Sequence, residues 1–187
     1  MLWRNRQDRF GAVHKGLHWT IALLVIGMIG LGLYMTRIDP PTPRMFGLYA
    51  LHKSIGVTIL ALAALRLLWR SFNLRPLPLP SHAQWERVLA TLTHALLYLS
   101  LLLMPLSGWV MSSAKGFSVS VFGLFTLPDF VRPDDGLAEL MVRIHVVTAY
   151  ALIVLIFLHV AGAVKHHLID RDDTLLRMMP FGRLRRG

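Results

Sequence analysis

Four stretches of about twenty mostly apolar residues limit this chain more than any other feature. They run approximately over 17–35, 49–69, 90–112 and 144–164. A helix needs roughly 20 such residues to cross the hydrocarbon of a bilayer. Inside lipid every backbone N–H and C=O must be satisfied within the protein, so helices or a closed barrel are the available spanning forms. These runs lack the strict alternation of a barrel strand, which leaves helices. The mean hydropathy of +0.53 agrees with a membrane class. The expected fold is therefore all-α, an integral membrane four-helix bundle in up-down-up-down order, with residues 1–187 forming one domain.

Charge gives the orientation. Arg4, Arg6, Arg9 and Lys15 precede the first span, and Arg66, Arg70, Arg75 and Arg87 lie around the second connection. Lys165, Arg171, Arg177, Arg183, Arg185 and Arg186 follow the fourth span, so fourteen of the twenty basic residues collect on one side. Arg37, Arg44, Lys53, Lys115, Arg132 and Arg143 make up the other side. That bias predicts both termini in the cytoplasm. It also accounts for the net charge of +10 without invoking nucleic acid. The basic tail RLRRG suits anionic lipid. No small-residue cleavage site follows the first span, so it reads as an uncleaved helix rather than a signal peptide.

The connections differ in character. TRIDPPTPRMFG is short, and its prolines stop the first helix. NLRPLPLPSHAQWER is a proline-rich inner turn with a helix start expected at Ser81. AKGFSVSVFGLFTLPDFVRPDDGLAEL is apolar for a loop and is expected to lie over the outer helix ends. Trp19, Trp69 and Trp109 fall near span boundaries, where indole rings anchor at the interface.

Depth sorts the nine histidines. His18 lies near the inner end of the first span and His52 near the outer end of the second. The fourth span carries His145 at its outer end and His159 at its inner end. Fourteen residues separate that last pair, about 21 Å of rise. At about 100° per residue the two imidazoles leave nearly the same face. The fourth helix can thus give one ligand to each of two stacked sites, with His18 completing the inner one and His52 the outer one. His94 opens the third span at the inner level and competes with His18 there. His14, His82, His166 and His167 fall outside the hydrocarbon and are expected to be solvated or at headgroups.

Two opposed imidazoles per level suit haem iron, which takes two axial ligands, better than zinc, which wants three or four protein ligands. Gly56, Gly108 and Gly162 leave room for a flat ring. The chain has no cysteine, so covalent attachment is excluded and a b-type haem follows. Two haem b groups with His18, His52, His145 and His159 on the iron are expected, a set suited to electron transfer. A histidine-lined metal or proton transporter is a third reading of the same residues.

The segments KGLHWT, LYALHKSIGVTIL, THALLYLSLLLMPLSGWVM, IHVVTAYALIVLIFLHVAGAVKHH and DDTLLRMMP resemble the bacterial four-helix cytochrome b561 family, within it the superoxide oxidase type. The resemblance spans nearly the whole chain and implies haems on His18 with His159 and on His52 with His145. It also implies that superoxide is oxidised on the extracytoplasmic side and that ubiquinone accepts the electrons, in the inner membrane of a bacterium. Lys53 and Arg44, with Arg37, then place positive charge where it would steer a small anion to the outer site. His166, two turns beyond His159, would hydrogen-bond the quinone and supply a proton, with Trp19 packed on the quinone ring. The same fourth-helix spacing recurs in cytochrome b subunits of larger complexes. A subunit carrying electrons between a partner dehydrogenase and the quinone pool is therefore the rival reading.

Overall fold

The computed structural model describes residues 3–37, 42–77, 79, 82–182 and 184. Four helices make up most of it: α1 (Ala12–Met35), α2 (Pro43–Ser71), α3 (Gln84–Ala114) and α4 (Asp135–Leu168). All four are long and apolar enough to cross a membrane. Each starts five to nine residues before its apolar run, because polar first turns project beyond the hydrocarbon. The Thr42 side chain caps α2 through Met45 N–H at 3.3 Å, and Pro43 occupies the first turn, where its missing N–H costs nothing. Ser81 lies outside the described residues. The described start of α3 is at Gln84, where the Glu86 carboxylate accepts from the Ala83 N–H at 2.9 Å.

α1 packs on α2, α2 on α3, and α3 most closely on α4. The α3–α4 approach follows from small residues at seven-residue spacing. Thr93, Ser100, Ser107 and Ala114 are all buried along one stripe of α3. The other helices carry matching stripes. α1 presents His18, Val25 and Gly32; α2 presents His52, Ile59 and Arg66; α4 presents His145, Leu152 and His159. Val25, Ile59 and Leu152 belong to the buried core cluster, with Ile21, Ala63 and Leu101. An apolar plug therefore fills the bundle midway between two polar levels. Leu23, Ile26, Leu99, Val147 and Phe157 face outward, as a lipid-facing surface requires.

The third connection does cover the outer helix ends, and it does so as a β-hairpin that the sequence reading did not foresee. β1 (Ser120–Val121) pairs antiparallel with β2 (Phe125–Thr126). Phe122 and Gly123 take φ of 51° and 71°, and Leu124 N–H closes the turn on Val121 O at 3.0 Å. Ser54 of α2 anchors it: Ser54 Oγ accepts from Phe122 N–H at 2.9 Å and lies 3.2 Å from Ser120 O. Trp109 is tied to this cover rather than to an interface alone, donating Nε1–H to Pro128 O at 3.1 Å and packing on Phe130.

At the opposite end three segments are sewn together. Asn5 donates to Leu74 O at 2.8 Å, Leu77 N–H to Gln7 O at 2.9 Å, and Arg177 to Leu77 O at 2.7 Å.

Replacing Ser54 with alanine removes the acceptor for Phe122 N–H, at a cost of about 1–3 kcal/mol. The expected outcome is amide exchange at Phe122 faster by about tenfold or more, with the α3–α4 core unchanged.

Candidate functional site

The four histidines singled out from their depth meet in two pairs. His18 and His159 have ring centres 6.0 Å apart, and His52 and His145 lie 6.3 Å apart. Two imidazoles held on opposite sides of one metal by bonds of about 2.0 Å have ring centres about 6 Å apart, so both pairs have the separation that axial ligands require. His94 lies 5.2 Å from His159, closer than that separation. The spacing favours His18 over His94 as the inner partner.

Further features of the outer pair suit a flat macrocycle. Ser107 Oγ donates to Met104 O at 2.8 Å and lies 3.1 Å from His145 Nδ1, where it accepts in the tautomer that carries Nδ1–H. That hydrogen bond leaves His145 Nε2 as the bare, metal-binding nitrogen. A Cβ at Gly108 would come within 3.2 Å of His145 Cε1, and one at Gly32 within 3.6 Å of His52 Cε1. Gly56, like these two, lines a cavity of about 310 Å³ that also takes in His52, His145 and Lys53. Gly162 has open space around it and contributes no contact to either pair. The buried Nδ1 atoms of His18 and His52 have no hydrogen-bond partner in the protein. The residues present thus fit a b-type haem at the outer level, and the inner pair matches it in ring separation and in an unpartnered Nδ1.

Gly32 and Ser107 were not found by sequence reasoning. Their only signal is register: Gly32 lies two heptads beyond His18, and Ser107 stands in the small-residue stripe of α3.

The cationic residues expected near His52 are separated. Lys53 Nζ donates to Ser112 Oγ at 2.6 Å and sits 5.8 Å from the Phe117 ring, inside the outer site. Arg44 lies over Tyr34 at 6.0 Å, outside the cavity lining.

The inner histidines assigned to solvent or headgroups need correcting. His14 is buried and stacks on Phe10 at 4.5 Å between ring centres. His82 and His166 pack together at 4.3 Å and share the Asp172 carboxylate, at 3.0 Å and 3.4 Å. His166 Nδ1 also reaches Asp170 at 2.7 Å, and Lys165 bridges Asp170 and Glu86. These contacts form a latch holding the chain after α4 against the start of α3. Trp19 packs edge-on against His18 at 5.3 Å and donates Nε1–H to Met178 O at 3.0 Å. Lys15 donates to Met179 O at 2.9 Å, a second tie between α1 and the same segment.

The latch is expected to open in acid. The hydrogen bond from Lys165 holds the Asp170 carboxyl below the ordinary aspartate value of 3.8, against a smaller opposing effect of burial. Burial works to raise the Asp172 carboxyl, but hydrogen bonds from Thr174 and His82 and the nearby His166 outweigh it and leave it lowered. A carboxyl lowered by folding stabilises the docked form above its unfolded value and loses that contribution as pH falls through its folded value. Limited proteolysis should therefore leave residues 170–180 protected at neutral pH and cut them progressively below pH 3.8. Asp172→Asn should show enhanced cleavage already at neutral pH.

The family model for prokaryotic cytochrome b561 matches residues 9–181. Cytochrome b561 homolog 2 of Escherichia coli (strain K12) is 36% identical over 96% of this chain and 95% of its own length. Cytochrome b561 homolog 1 of the same organism is 31% identical over 92% of this chain and 98% of its own. A protein of Yersinia pestis named probable superoxide oxidase CybB is 30% identical over 92% of this chain and 96% of its own length.

Proposed function

The chain belongs to the prokaryotic cytochrome b561 family, a multi-pass haem b electron-transfer protein of the bacterial inner membrane, and from that premise we propose that it oxidises superoxide outside and reduces ubiquinone inside. In this reading residues 1–187 form one domain with both termini cytoplasmic. His52 and His145 hold an outer haem b, and His18 and His159 an inner one. The observation that carries it is the pair of matched imidazole separations, 6.3 Å and 6.0 Å, at two depths of one bundle. A haem held by His52 with His145, or by His18 with His159, would supply one-electron transfer.

The protein's own groups prepare each end. Lys53 sets a positive charge in the outer cavity and Arg44 a second on the outer surface, which draw a small anion toward His52. Superoxide gives up one electron and leaves as dioxygen, so no base is required there. Two superoxide ions and two protons convert one ubiquinone to ubiquinol. On the inner side His166 and Trp19 bind the quinone. With His166 Nδ1 engaged by Asp170, its Nε2 is the nitrogen left to meet a quinone carbonyl. Trp19, held by Met178 O, keeps a flat indole face beside His18.

The reading as a cytochrome b subunit for a partner dehydrogenase draws on the outer hairpin, whose Phe122, Leu124 and Phe125 are exposed and could dock a second protein. Rapid mixing of the purified protein with superoxide and ubiquinone separates the two readings. Haem reduction followed by ubiquinol formation without any second protein is the expected result. A requirement for an added protein establishes the rival. His52→Ala and His145→Ala should each remove about half the haem absorbance and slow superoxide-driven reduction by about a hundredfold or more. A colourless protein after expression with ample iron and porphyrin precursor would remove the basis for either reading.

A further inference from the structure

On α2, fourteen residues after His52, stands Arg66. The interval equals that between His145 and His159, about 21 Å of rise and nearly the same face. Where α2 gives the outer level an imidazole, it therefore gives the inner level a guanidinium. Arg66 lies within electrostatic reach of His14, His18, His94 and His159, so it borders the whole inner cluster.

Among the described residues this arginine has no counter-ion. Its Nε is buried without a hydrogen-bond partner, and no described ion pair includes it. Its contact is the face of Tyr98 at 5.4 Å, which Arg70 shares at 5.3 Å. α1 and α2 contain no acidic residue, and Glu86, the one acidic residue of α3, is already bound to Lys165 and Ala83 N–H. One turn from Arg66, the Trp69 indole Nε1–H is also buried and unpartnered. An unpaired charge inside a membrane bundle is costly, and so is an unmatched donor. A buried cation near the His18–His159 pair, with a second unmatched donor one turn along the same helix, calls for an anion, and haem carries two carboxylates.

The outer level differs. Its cation, Lys53, is hydrogen-bonded to Ser112 and faces the Asp129 carboxylate through space. Lys53 thus keeps a polar partner and a nearby carboxylate, whereas no described carboxylate is paired with Arg66. Adding an electron to a centre beside a buried cation is favoured over adding it elsewhere.

We propose that Arg66, assisted by Trp69, is the buried counter-ion of the inner haem's carboxylates and makes that haem the higher-potential one of the two, so that electrons run inward. The inference rests on the two-haem reading given above.

Redox titration of the visible spectrum tests it, with wild type, Arg66→Met and Arg66→Lys in nanodiscs with and without anionic lipid. Arg66→Met should lower one midpoint by at least tenfold in the reduction equilibrium, about 59 mV for one electron, and leave the other in place. Arg66→Lys should stay near wild type. The same fall should appear in His52→Ala protein, which keeps the inner haem alone. Loss of one haem from Arg66→Met but not from Arg66→Lys supports the pairing equally. Unchanged midpoints overturn the proposal, as do equal effects or equal haem loss in Met and Lys, which mark a role of shape. A shift seen only with anionic lipid assigns Arg66 to a lipid phosphate instead. Wild type binding fewer than two haems fails the underlying reading, an outcome none of the variant comparisons can mimic.

Discussion

Polar nitrogen held inside a lipid-facing bundle governs the rest of this structure. An unmatched donor or charge in such a place is costly unless something in the interior answers it. Here the answer is built on a seven-residue rhythm. His18 and Gly32 on α1, His52 and Arg66 on α2, Ser107 on α3, and His145 and His159 on α4 all fall on inward stripes. Because the helices are antiparallel neighbours, those stripes bring like chemistry to like depth. The small side chains of α3 let it lie against α4, while the imidazoles of α1 and α2 meet those of α4 across a wider gap. Close packing on one side and open space on the other are two results of one pattern.

The two ends of the bundle are finished by different means. Outside, a two-stranded cover is pinned by a single serine hydroxyl and by the Trp109 indole. At the other end, the segments before α1 and after α4 and the second connection are joined by backbone carbonyls and by the His82–Asp172–His166 latch. Much of the basic charge thus has a structural partner. Arg177 holds Leu77 and Lys15 holds Met179, besides whatever bias in membrane orientation these residues confer.

Much of this was legible in the residues. Spanning length and apolar composition are local properties, so the four helices could be read directly, as could the depth of His18, His52, His145 and His159. Rise and rotation gave the common face of His145 and His159, and depth gave their partners, with His94 left as a rival to His18 at the inner level. What stayed hidden depends on contacts between distant segments. The hairpin strands are two residues long and sit in an apolar stretch without clear alternation, so neither length nor pattern announces them. His82 and His166 looked solvated because Asp172, which joins them, is ninety residues from one of them. Gly56 and Gly162 do have open space around them, while Gly108 and Gly32 set such space against a named imidazole, a contact the sequence does not reveal. Arg66 read as a marker of orientation until its burial and lack of an acidic partner were visible.

The apolar plug of Val25, Ile59 and Leu152 has a consequence of its own. Its three side chains carry no hydroxyl, amide or carboxyl, and the buried polar group the α3 stripe brings to about that depth is the Ser100 hydroxyl. In the proposed reading, electrons traverse that layer, and each carries its negative charge part of the way across the bilayer. Turnover then does electrical work against an inside-negative voltage, up to about 2.3 kcal/mol per charge per 100 mV for a full crossing. An energised cell would feel that opposition, and a depolarised one would let the protein run faster.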